Sequence, residues 1–236
     1  MTKRDQLWGP ISGLLLCLTW APMAVAIPAL PDLGSAQTVE TFWREHQTLM
    51  QGVILSVSIG FLFLLVFLSA LAELMRSASN AGATASLAFG SALMFMTALN
   101  VALGLDIAAG LLVDVDPAST YGLHTAAFLL AAPAAFAGVA FFVAVAVFTW
   151  KVALFPRWTL ALAVVAIVAN AGAVCGVLTL TGPLNSGNGI VGGIAAPIGM
   201  FLVWTFAISV WWIRRAPLTS SETPQSLMRS ARADRA

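Results

Sequence analysis

The chain has 236 residues, 60% of them hydrophobic and 9% charged, with a formal net charge of +1. Soluble domains carry about 25% charged residues, so the composition excludes a water-solvated globule and makes lipid the main solvent. A charge this close to zero also excludes bulk attraction to nucleic acid.

Six apolar segments follow one another at about 11–30, 49–73, 82–112, 122–149, 158–181 and 189–213. Each is near the ~20 residues that carry a helix across the hydrocarbon. The connections leave no room for a second domain. The reading is an all-α polytopic bundle of six transmembrane helices over 1–215, followed by a polar tail, 216–236, expected to be disordered.

The first segment, "MTKRDQLWGPISGLLLCLTWAPMAVAIPALP", starts basic and contains Ala24-Val25-Ala26, which looks like a signal-peptide cleavage site. The apolar run continues through Ile27 and Leu30, which favours a retained helix kinked by Pro22 and Pro28. Cys17 lies here and Cys175 in the fifth segment, about 15 Å apart in depth at the helical rise. No disulfide spans that distance, so both read as small core residues.

Between the first two segments, "FWREHQ" places His46 in a connecting loop. The second ends in "LSALAELMRSAS", where Glu73 precedes Arg76 by three, a helical contact spacing. That makes Glu73 an interfacial ion pair or, if it faces inward, a proton-coupling carboxylate. In the third, Gly82, Ser86 and Gly90 share a face, as do Gly172 and Gly176, and Gly189 and Gly193, later. Such small-residue faces allow close helix packing within the chain or homo-oligomerisation.

The third segment also carries "NVALGLDIAAGLLVDVD". Asp114 and Asp116 fall in the following turn and read as solvated. Asp106 lies about 9 Å inside the helix end, where an ionisable group costs roughly 3 kcal/mol unless paired or wetted. It therefore faces the bundle and is the first candidate for chemistry. Asn100 is six residues away, roughly 120° around the helix, so it shares a site only if the cavity wraps that helix. Asn100 and Asn170, deep in the fifth segment, read as amides bonding another helix, or as pocket residues with Tyr121.

His124 opens the fourth segment just inside the same face and is placed to meet Asp106 across the short turn. A carboxylate–imidazole pair supports acid–base work on a ligand; the plainer reading is a hydrogen bond to Asp106 or Tyr121. No metal or cofactor is expected: His46 and His124 lack ligand spacing for zinc, copper or haem. No mid-helix lysine offers a Schiff base. There is no GxSxG, HExxH, phosphate loop or paired-aspartate cluster.

Placing the N-terminus inside puts Lys3, Arg4, Arg76, Lys151, Arg157, Arg214, Arg215, Arg229, Arg232 and Arg235 on the cytoplasmic side. Arg44 alone falls outside, with Asp32, Glu40, Glu45, Asp106, Asp114 and Asp116. The positive-inside rule then puts both termini in the cytoplasm. Trp8, Trp20, Trp43, Trp150, Trp158, Trp211 and Trp212 fall near segment ends, as interfacial anchors do.

In the second half, "LFPRWTLALAVVA" (154–166) launches the fifth helix from a Pro156-Arg157-Trp158 turn, "TGPLN" (181–185) follows, and "APIGMFLVWTFAISVWWIRR" (196–215) closes the domain. This texture resembles a bacterial six-helix membrane family catalogued as domain of unknown function 4386, chiefly over residues 120–215. The resemblance implies the fold and no activity.

The functional expectation is a multi-pass protein of the bacterial inner membrane that binds an apolar small molecule or a membrane partner in an outward-facing pocket near Asp106 and His124. A second expectation is a membrane-embedded acid–base cyclase or isomerase of an isoprenoid or polyketide, with Asp106 and His124 catalytic. A third is a small proton-coupled transporter using Glu73.

Overall fold

The computed structural model describes residues 3–78, 82–152 and 155–215, with side chains from Leu7 onward. The tail expected to be disordered, 216–236, lies outside the described residues. Six helices form the fold: α1 (Lys3–Trp20), α2 (Ala36–Ala78), α3 (Gly82–Leu112), α4 (Pro117–Val152), α5 (Trp158–Val174) and α6 (Ala195–Arg215). With the short turns that extend α1 and α5, all six spans are long and apolar enough to cross a membrane. No strand occurs among the described residues. Leu18, Leu55, Leu62, Met94 and Val168 are 63–69% exposed, a surface that suits lipid and not water. The chain is a multi-pass membrane protein.

Each helix packs on the next, and α6 returns to α1, closing a ring. α4 also reaches α2 and has the most enclosed span. Its alanines, among them Ala127, Ala131, Ala132 and Ala135, are buried and let neighbouring backbones close in. Pro133 sits inside this helix without ending it. The alternating topology separates two ends. The basic end carries Arg76, Lys151, Arg157, Arg214 and Arg215; the acidic end carries Asp32, Glu40, Glu45, Asp114 and Asp116 with Arg44.

Three elements differ from the hydropathy reading. The first segment is not one kinked helix over 11–30: α1 stops at Trp20, a single turn spans Met23–Ala26 after Pro22, and a 3-10 turn spans Ile27–Ala29 around Pro28. Each proline removes a backbone donor that a continuous helix needs. α1 nevertheless belongs to the core. Trp20 is 1% exposed, its indole N–H donates to the Val57 carbonyl at 3.1 Å, and it rests on the bare backbone of Gly60.

α2 starts at Ala36, so His46 lies on a helix and not in a loop. Its first turns are amphipathic: Val39, Phe42 and Trp43 are buried, while Arg44 and Glu40 pair at 2.9 Å one turn apart. Charges on the outer face hide this helix from a hydropathy window.

α6 starts at Ala195 and not at 189, because the glycines before it build a compact connection. A Cβ on Gly189 or Gly193 would collide with the carbonyl oxygen of Asn185 or Gly189, and Gly182 has φ +74°. The Gly189/Gly193 spacing is therefore backbone packing in a turn. Gly172 and Gly176 pack against the same connection, at Val191 and Gly192. Gly82 and Gly90 instead face open space, so that face of α3 is unused within the chain. Trp20 and Trp43 are buried rather than interfacial, whereas Trp8, Trp150 and Trp158 are exposed. Cys17 and Cys175 are free thiols.

Candidate functional site

Three helices converge near the acidic end. On α3, Leu99, Ala102, Asp106 and Ala109 form one buried face at helical spacing. On α4, Thr120, His124, Ala127 and Phe128 form the facing one. The first turns of α2 supply Phe42 and Trp43. The end of α3 is fixed by its neighbours, which take up the carbonyls that any helix terminus leaves open. Thr120 donates to Ala109 O at 3.1 Å, Gln47 to Gly110 O at 2.8 Å, and the N–H groups of Val115 and Asp116 to Leu112 O. Gly110 is required here, since a Cβ would sit 2.5 Å from the Trp43 ring.

Asp106 Oδ1 lies 2.6 Å from His124 Nδ1, with the two residues 5% and 0% exposed. The Trp43 indole nitrogen approaches the same Nδ1 at 3.3 Å. Two proton arrangements suit the Asp106–His124 distance, and only the second also gives the Trp43 N–H an acceptor at Nδ1. Either Nδ1–H donates to the carboxylate, or a protonated Asp106 donates to Nδ1 and the Trp43 N–H shares that lone pair. In both, His124 Nε2 is buried with no partner. Phe128, Phe42 and Trp43 box the imidazole, with ring centroids at 4.9, 5.8 and 5.9 Å.

This pair does not open outward, as the sequence suggested. Beside Asp106 is a cavity of about 30 Å³, bounded by Leu99, Ala102, Phe128 and Ile194, the last from the glycine-rich connection. It has room for water but not for a metabolite. Phe42 and Trp43 of α2 enclose the imidazole, while Ile194 borders the small space beside Asp106.

The other candidates do not join the pair. Tyr121 donates its hydroxyl to Leu33 O at 2.9 Å, tying α4 to the first connection. Asn100 is exposed, and its amide donates to Met96 O of its own helix at 3.1 Å, so it neither lines the pocket nor bonds another helix. Its 120° offset from Asp106 is the cause. Asn170 is 2% exposed, donates to Ala166 O of its own helix and packs on the bare backbone of Gly138. It borders a separate cavity of about 20 Å³ with Phe141 and Phe201. The Glu73 side chain is 57% exposed and pairs with Arg76 at 3.8 Å, so it is not the inward-facing carboxylate that proton coupling requires.

A second feature lies above the pair. Thr38, Thr41, Phe42, Glu45 and His46 on α2 form an open groove of about 450 Å³ with Ala29, Pro31 and Gln37. The His46 Nδ1–H donates to Phe42 O at 3.2 Å, and the two rings stack at 5.3 Å with 17° between planes. Phe42 thus borders the groove and also contacts His124. Sequence reasoning missed Phe42 and Trp43. The signal that would have found them is the pattern Val39, Phe42, Trp43, Met50, whose spacing places apolar side chains on one helical face despite the intervening charges.

Among the described residues, no group of three or more His, Cys, Asp and Glu side chains converges as a metal site would. The chain matches no protein-family model, no curated protein and no solved structure.

Proposed function

We propose that this is a binding protein of the bacterial inner membrane, both termini cytoplasmic, which takes a small molecule into the groove at its outward-facing acidic end. The carrying observation is the size of that groove, about 450 Å³, which falls within the range of small-molecule sites. Its mixture of threonine hydroxyls, one carboxylate, one imidazole and apolar walls suits a ligand with a polar head and an apolar body. The concentration of cations at the opposite end supports the orientation. The Pro156-Arg157-Trp158 launch of α5 and the Trp-bearing α6 support kinship with the domain of unknown function 4386 family, which bears on the fold alone.

Native mass spectrometry of protein released gently from membranes tests the reading. The wild-type chain is expected to retain a small molecule that Thr41→Trp, which fills the groove, loses at unchanged melting temperature. Retention of bulk lipid only, or equal retention by both proteins, overturns it.

A second reading, an acid–base cyclase or isomerase of an isoprenoid or polyketide, draws on one observation. His124 Nε2 is buried and unpartnered while Asp106 holds the opposite ring nitrogen, the arrangement of an oriented base. It requires Phe42 or Phe128 to move aside. Under this reading Asp106→Asn abolishes conversion of a ligand that the variant still retains; conversion at the wild-type rate sinks it.

A further inference from the structure

The groove offers hydrogen-bond acceptors and negative charge, with no lysine or arginine among its lining residues. Glu45 and the threonines at 38 and 41 recur at helical spacing along one face of α2. Arg44, the one cation of the acidic end, is engaged by Glu40 at 2.9 Å and faces Asp114 at 3.9 Å. Glu45 forms no ion pair among the described residues. Because the Phe42 carbonyl can only accept, His46 must place its proton on Nδ1, which leaves Nε2 of the neutral ring as an acceptor. The Phe42 ring stacks beneath His46 and holds that imidazole at the groove. Glu45 is the one carboxylate that lines the groove, and at this end of the molecule Asp32, Glu40, Glu45, Asp114 and Asp116 outnumber Arg44, a field that concentrates cations and repels carboxylates and phosphates.

We infer that the groove binds an organic ammonium group attached to a compact apolar body, with Glu45 as counter-ion and the Thr38 and Thr41 hydroxyls and His46 Nε2 as acceptors. The inference rests on the groove being the ligand site and adds the class of ligand. The same ammonium chemistry is presented by a soluble amine and by the phosphatidylethanolamine headgroup.

The experiment uses the full chain in nanodiscs of phosphatidylglycerol, with phenethylamine and the neutral 2-phenylethanol as matched probes, read by calorimetry. The amine is expected to bind at least about tenfold more tightly than the alcohol, the scale of one charge-assisted hydrogen bond. Glu45→Gln removes most of that difference and leaves alcohol binding unchanged, whereas Arg44→Gln, which only frees further negative charge, does not weaken the amine. Equal binding of both probes, sensitive to Thr41→Trp but indifferent to Glu45→Gln, overturns the ammonium assignment and leaves the groove as a ligand site. Absence of binding by either probe overturns both. Adding phosphatidylethanolamine to the discs identifies the source. Displacement of phenethylamine assigns the groove to the lipid headgroup, and undiminished binding assigns it to a soluble amine; each upholds the ammonium class.

Discussion

Asp106 is 5% exposed and His124 wholly buried, so each is the replacement for the water the other has lost. Removing one partner of such a pair leaves a polar group stranded, at a cost of about 1–3 kcal/mol. Trp43 contributes differently: its N–H approaches Nδ1 at 3.3 Å, a long bond worth about 1 kcal/mol, while its ring fills the space left by Gly110. Asp106→Ala is therefore expected to destabilise the protein by about 1–3 kcal/mol, and Trp43→Phe by less, at most about 1 kcal/mol. Denaturant titration of the detergent-solubilised chain, followed by near-UV circular dichroism, checks both. An Asp106→Ala loss no larger than that of Trp43→Phe would show that the pair is wetted. The pairing itself was legible in the sequence, because an ionisable group placed in lipid must find a partner and His124 alone lay at matching depth. Trp43 was not legible. A tryptophan near a helix end has the same hydropathy whether it anchors the interface or packs in the core, and only the Val39–Phe42–Trp43 spacing distinguishes the two.

At the scale of elements, the helices are fixed by apolar runs and their ends by individual polar groups. The apolar runs could be read; the ends could not, because proline, glycine and short amphipathic stretches act through backbone geometry that hydropathy averages away. The connection before α6 depends on Asn185, which is 1% exposed. Its carbonyl accepts the N–H groups of Gly187 at 2.9 Å and Asn188 at 3.0 Å, and its amide donates to Gly182 O at 2.6 Å. Asn185→Ala orphans the buried Gly187 N–H and frees the more exposed groups of Gly182 and Asn188, a loss of about 1–3 kcal/mol confined to the connection. Amide exchange is expected to quicken across 182–194 while α2 to α4 keep their protection; uniform quickening would mean that the connection is a global keystone. At the start of α4, Asp116 accepts the Ser119 hydroxyl and its backbone N–H, and these bonds hold its carboxyl below the usual range. The cap is complete above the ordinary carboxylate pKa and is lost as pH falls through the lowered value. Exchange at 117–120 should accelerate on acidification, and Asp116→Asn, which caps without titrating, should flatten that dependence.

For the molecule as a whole, the two ends pose a problem of polarity. A ring of six helices with Arg76, Lys151, Arg157, Arg214 and Arg215 at one end and five carboxylates at the other is not neutral toward the membrane that receives it. Cations resist translocation and carboxylates contribute little, so the basic end is expected to remain in the cytoplasm. The groove and the ammonium it is inferred to bind would then face outward, where a ligand arrives without crossing the bilayer. Cysteine substitution decides the matter. Ala118→Cys, beside Asp116 at the acidic end, should react with a membrane-impermeant maleimide in intact cells. Ser77→Cys, beside Arg76, should react only after permeabilisation. Native Cys17 and Cys175 are replaced by serine in both to clear the background. The reverse pattern would turn the groove toward the cytoplasm, and its ligand would have to be sought among intracellular amines or inner-leaflet lipid.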